Sequence, residues 1–92
     1  MSEKLYIITY SLKATNWNYN RFYNSLQNIG MWWHYLDSTW IIKSSLTAQQ
    51  IYSMLGPGLS VKDFILVVEI NPDNRYGYLP QKAWSWIDNN LN

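Results

Sequence analysis

The sequence predicts an α+β fold of the ferredoxin-like kind, a β-α-β-β-α-β two-layer sandwich with an extra C-terminal helix. Three observations carry this. Four short stretches rich in β-branched and aromatic residues read as strands, in "KLYIITYS", "MWWHY", "TWIIK" and "KDFILVVEI". The first and second, and the third and fourth, are separated by segments with apolar residues at helical spacing, whereas the second and third are joined by a turn. That order is the split βαβ arrangement, and one more helical segment follows it. The 92 residues leave room for a single domain, 1–92, and no second core.

The elements follow in chain order. Lys4 to Ser11 is apolar on both alternating sets, Leu5 and Ile7 on one and Tyr6, Ile8 and Tyr10 on the other. A strand covered on both sides reads this way, so something must cover each face of the sheet. Asn16 or Asn18, in a polar loop, supplies an N-cap for a helix with Tyr19, Phe22, Tyr23, Leu26 and Ile29 inward. Gly30 fits the left-handed position after that helix. A hairpin turns at Leu36, Asp37 and Ser38, where aspartate and serine side chains bond nearby backbone amides. Thr47 with Gln50 forms a capping box for the second helix, which turns Ile51 and Leu55 inward. "GPG" at 56–58 stops it. Lys62 to Ile70 is the last strand, again apolar on both sets. Pro80 suits the first position of a final helix with Ala83, Trp84, Ile87 and Leu91 inward.

Composition narrows the function classes. Seven Lys and Arg against six Asp and Glu leave a net charge of +1, and the cations are scattered singly. A protein that grips duplex DNA by its phosphates needs a basic stripe, so duplex DNA is a poor partner for this chain. With no cysteine there is no disulfide, thiolate nucleophile or cysteine zinc site, which fits a reducing cytosol. No stretch approaches the ~20 apolar residues of a membrane span, so a soluble, cytoplasmic protein without membrane contact is expected. Charged residues are 14% of the chain and aromatic ones 17%, with six Trp and eight Tyr. Such an excess of rigid apolar side chains serves cores, interfaces and stacking faces alike.

The densest segment is "MWWHYLDSTWII", which holds three tryptophans and the only histidine. Alternation puts Trp32, His34 and Leu36 on one face and Met31, Trp33 and Tyr35 on the other, so half of these aromatics go under helices and half face the second side. His34 and Asp37, three positions apart around the turn, have the residue types of a general-base pair. They lack a second histidine, a nucleophile and an oxyanion loop, so no residue is assigned a catalytic role. A single histidine cannot build a zinc site in one chain, and no metal or cofactor is expected. Walker and GxGxxG phosphate loops are missing. What remains is a set of aromatic faces with dispersed cations. Trp17, Trp33, Tyr35, Trp40 and Tyr76 offer stacking faces, Arg21 and Arg75 offer phosphate contacts, and His34 and Asp37 offer hydrogen bonds. These nine residues are the candidate ligand site, thin for a long polymer but sufficient for a mononucleotide, dinucleotide or cyclic oligonucleotide.

The strings "IGMWWHYLDSTWIIKS", "FILVVEI" and "WSWIDNNL", with the first strand, resemble small bacterial and phage proteins labelled SinR-like. The resemblance implies a fold similar to the small subunit of the CRISPR adaptation complex and to virulence-associated protein D, both ferredoxin-like dimers. It also implies a metal-dependent ribonuclease or toxin as one reading. The CRISPR subunit carries an aspartate at the end of its first strand, however, where this chain has Tyr10 and Ser11. A hydroxyl does not replace a charged oxygen ligand for Mg²⁺. The expected function is therefore non-catalytic binding of a small nucleotide in an aromatic pocket of a homodimer. In a phage such binding would sequester a host nucleotide signal in immune evasion. A protein–protein interaction module is the remaining alternative.

Overall fold

The computed structural model describes residues 2–91. The elements are β1 (Lys4–Ser11), α1 (Asn20–Asn28), β2 (Met31–Leu36), β3 (Thr39–Ser44), α2 (Ala48–Leu55), a 3₁₀ turn (Gly56–Gly58), β4 (Phe64–Ile70) and α3 (Gln81–Asn89). The architecture is α+β. One antiparallel sheet of four strands, in the order β2-β3-β1-β4, carries helices on its faces. The element order is the one the sequence predicts.

Both alternating sets of β1 are used. Tyr6, Ile8 and Tyr10 pack with Trp40 and Ile42 of β3 under Phe22 and Leu26 of α1 and Ile51 and Leu55 of α2. On the opposite face Leu5, Trp33 and Ile41 pack under Ala83 and Ile87 of α3. The final helix is thus the cover for part of the second face. The polar ends of the buried aromatics find partners, as burial requires. Trp40 Nε1–H donates to the Tyr10 hydroxyl at 3.0 Å, Trp33 Nε1–H to the Ala83 carbonyl at 3.1 Å and the Tyr6 hydroxyl to the Leu46 carbonyl at 2.7 Å. Burial pushes the Tyr10 phenol up to about 12, against the bond from Trp40.

Helix ends follow the sequence in two cases, one of them the stop of α2 at Leu55 before Gly56–Gly58, and depart from it in three. The Thr47–Gln50 capping box forms, with Gln50 N–H on Thr47 Oγ1 at 3.1 Å and Thr47 N–H on Gln50 Oε1 at 2.9 Å. Tyr19, and not Asn16 or Asn18, holds the cap position of α1. Asn18 still serves that end, because its Oδ1 accepts from Asn20 N–H at 2.9 Å. Gly30 is not left-handed, and no described residue has a positive φ. It is required for space, since a Cβ there would fall on the Lys43 carbonyl oxygen. Pro80 lies one residue before α3, where its carbonyl accepts from Ala83 and Trp84 N–H. β4 begins at Phe64 because Ser60 to Asp63 form a turn, closed by Asp63 N–H on the Ser60 carbonyl at 3.2 Å.

Candidate ligand-binding site

Two loops meet beyond the C-terminal end of β1. The first runs from β1 to α1, and the second from α2 to β4. The Asp63 carboxylate ties them together. It accepts Lys13 N–H at 2.7 Å, Ser60 N–H at 2.8 Å and the Tyr19 hydroxyl at 2.8 Å. The same Tyr19 oxygen accepts Ala14 N–H at 3.2 Å. Burial works against the charge on Asp63, but the bonds from Lys13, Ser60 and Tyr19 outweigh it and hold the carboxyl at about 2. Burial, and then the Asp63 carboxylate, push the Tyr19 phenol up. A second tie is the Trp17 indole, whose Nε1–H donates to the Gly58 carbonyl at 2.9 Å.

Between the tied loops lies a cleft of about 420 Å³, walled by Thr15, Asn16, Trp17, Leu59, Ser60, Val61 and Lys62. Its size falls within the usual range for small-molecule sites. One wall presents the Trp17 ring, 44% exposed and fixed in orientation by its bond to Gly58. Lys62, Ser60, Thr15 and Asn16 are among the other lining residues, and the Ser60 Oγ accepts Lys62 N–H at 3.2 Å. The arrangement joins a stacking face to one cation and several hydrogen-bonding groups on loops that are already braced.

The nine residues singled out in the sequence do not converge. Trp17 lines the cleft just described. Arg21 is exposed on the first turn of α1. Trp33 and Trp40, each 2% exposed, belong to the two cores and present no face to a ligand. Their indole N–H groups are already engaged, and the sheet buries the rings because β2 and β3 lie beneath helices at those positions. His34 is half-buried and stacks on Trp40, ring centres 4.2 Å apart and planes 14° from parallel. Its Nε2 lies 3.1 Å from the Asp37 carbonyl oxygen. A carbonyl only accepts, so Nε2 carries the proton in that bond. The bond closes the turn through the backbone of Asp37. A carboxylate–imidazole pair is not formed, and Asp37 is exposed. Tyr35 is partly exposed against the edge of Trp33, ring centres 5.3 Å apart. Arg75 is spent within the chain, on the Asp88 carboxylate at 2.6 Å and the Pro72 carbonyl at 2.9 Å. Tyr76 is fully exposed in the loop before α3.

Nothing in the sequence assigns Lys62, Ser60, Thr15 or Asn16 to a ligand site. The signal present was only a polar loop beside Trp17 and a lysine before the last strand; their meeting depends on the Asp63 tie, 50 residues from Lys13. Among the described residues no three of His, Cys, Asp and Glu come together in a way that could hold a metal ion. Among the same residues no helix is long and apolar enough to cross a membrane. Compared with family models, with curated proteins and with solved structures, the chain finds no match.

Proposed function

We propose that this chain is a non-catalytic binding protein for a small nucleotide-type ligand, acting as a homodimer, and that the ligand enters the cleft beside Trp17. The observation that carries the reading is a half-exposed indole, hydrogen-bonded to the Gly58 carbonyl, on the wall of a cleft of about 420 Å³ that Lys62 also lines. Stacking of one base on an aromatic ring contributes ~1–3 kcal/mol. A lysine beside it meets a phosphate as a point charge, and hydroxyls and an amide serve the sugar or base edge. The cleft has room for a mononucleotide or for one unit of a dinucleotide or cyclic oligonucleotide. The ferredoxin-like reading of the fold, supported by the strand order and by two helices sharing one sheet face, belongs to the same proposal. In a phage, such a protein would sequester a nucleotide signal.

Native mass spectrometry of the protein as purified, followed by calorimetry of ligand-free protein against mono-, di- and cyclic nucleotides, tests the reading. Binding is expected, with Lys62→Gln weakening it about tenfold or more at unchanged melting temperature. Absence of heat with every nucleotide overturns it. A protein-interaction module is the second reading, favoured by the exposed apolar residues of β4 described next. A metal-dependent ribonuclease rests on the resemblance alone, and no observation on the site favours it.

A further inference from the structure

The two edges of the sheet differ. β2 pairs irregularly with β3, its register shifting between Trp33 and Leu36. β4 pairs with β1 without a break from Leu5↔Ile70 to Ser11↔Phe64, so its outer side is a straight edge with unused backbone donors and acceptors. Natural sheets protect such edges with proline, lysine or bulges. Phe64–Ile70 has none of these, and its one charge, Glu69, sits near the end and meets Lys4 of its own chain at 3.7 Å. The side chains beside the edge are apolar and open to water: Phe64 is 68% exposed, Leu66 58% and Val68 43%. α3 covers Leu5, Trp33 and Ile41 on this face and leaves those three uncovered.

We infer that a second copy of this chain pairs with β4 along its free edge, antiparallel about a two-fold axis at Leu66, so that one sheet runs through both copies. The sequence of β4 argues for a copy as the occupant. In a two-fold antiparallel pair, opposite residues point to the same face, so the axis must pass through a residue position. Only an axis at Leu66 maps the run Phe64–Val68 onto itself. Phe64 then meets Val68 of the other copy, Ile65 meets Val67, and Leu66 meets Leu66, apolar against apolar on both faces. An axis at Val67 sets Ile65 against Glu69, and one at Ile65 sets Val67 against Asp63. The pair at each end of the ladder, Asp63 opposite Glu69, is acidic and works against this pairing; the Asp63 carboxylate is turned to its own loops, and Lys4 lies 3.7 Å from Glu69. This assigns the interface of the homodimer proposed above and does not depend on the nucleotide.

The chain has no cysteine, so single-cysteine variants report the pairing cleanly. Residues opposite one another in an antiparallel pair lie ~4.5–5.5 Å apart between Cα atoms, inside the range a disulfide spans. Under mild oxidation Leu66→Cys should give a covalent dimer. Glu69→Cys, whose two copies would lie about 20 Å apart along the strands, and Tyr35→Cys on the other edge should stay uncrosslinked. By light scattering the wild type should have the mass of two chains, and Leu66→Lys, at a position the single chain leaves exposed, the mass of one. A wild-type mass of one chain overturns the dimer and this interface together. A dimeric mass without the Leu66→Cys crosslink, or with crosslinks at all three positions, overturns this interface and leaves the dimer; nucleotide binding is read separately by calorimetry.

Discussion

Asp63 accepts hydrogen bonds from two backbone N–H groups and one phenol, and its carboxyl titrates at about 2 in place of the ordinary 3.8. A carboxyl whose folded pKa is depressed adds stability above its unfolded pKa and loses it as the pH falls through the folded one. The contribution of Asp63 is therefore complete above pH 3.8 and fades toward about pH 2. Water reaches these loops, so about 1–2 kcal/mol is expected after screening, less than a fully enclosed group would contribute. Asp63→Asn should be less stable than wild type by that amount near neutral pH, and the difference should close as the pH falls to about 2. Urea melts of both proteins across that range check it; a gap that stays constant with pH would show that Asp63 acts by shape and not by charge. His34 teaches a related lesson. Its nearest acidic side chain by sequence is a bystander, while the carbonyl of the same residue is the partner. Residue types predict which groups are near each other around a turn, and only the backbone path decides which atom is presented.

At the scale of elements, glycine separates two causes of local structure. Gly30 sits where a Cβ would strike the Lys43 carbonyl, and Gly58 where it would come within 2.7 Å of the Phe22 backbone nitrogen. Gly56 has ordinary right-handed angles, φ −53° and ψ −42°, and its nearest neighbour to a Cβ is Tyr52 at 3.9 Å. Gly56→Ala should therefore stabilise by ~0.4–1 kcal/mol, by reducing the freedom of the unfolded chain. Gly30→Ala should destabilise by ~1–3 kcal/mol, because backbone cannot step aside. Thermal melts of the two variants should shift in opposite directions. Local pattern favours a left-handed Gly30, as for a glycine that follows an apolar-periodic segment; the approach of β3 to that point is a tertiary fact that no local pattern contains. β1, the existence of the hairpin and the capping box of α2 are legible, since each depends on alternation, a polar break between strands or a side chain three residues away. The turn itself is shorter than expected, with Leu36 paired to Thr39, and His34 on the Asp37 carbonyl bonds across it in place of an Asp37 or Ser38 side chain. The exposure of β4 is not legible. "FILVVEI" reads as a buried strand, and what makes it half-open is its place at the rim of the sheet and the limited reach of α3. The same limit explains the candidate site: Trp17 was legible as an aromatic in a polar loop, whereas its neighbours Ser60 and Lys62 arrive from a loop more than 40 residues away.

For the whole molecule, the position of β1 between β3 and β4 sets an order of events. β2 and β3 are joined by two residues and share a local ladder. β1 pairs with β4 across a much longer span, with Leu5 opposite Ile70. Closing a long loop costs entropy before its contacts return anything, so pairings distant in sequence form late. The β2–β3 hairpin, with Trp40 under α1 and α2, belongs to the nucleus, and β4 joins a sheet already begun. A destabilising change in the hairpin, such as Ile42→Val, should then slow refolding, while Val67→Ala in β4 should mainly hasten unfolding. Stopped-flow chevrons distinguish the two, and equal effects on both arms would contradict this order. The consequence reaches beyond rate. In a single chain a strand that docks last is also the first to leave, so pairing of β4 with a second copy should close that exit, and the folded protein should live longer as its concentration rises.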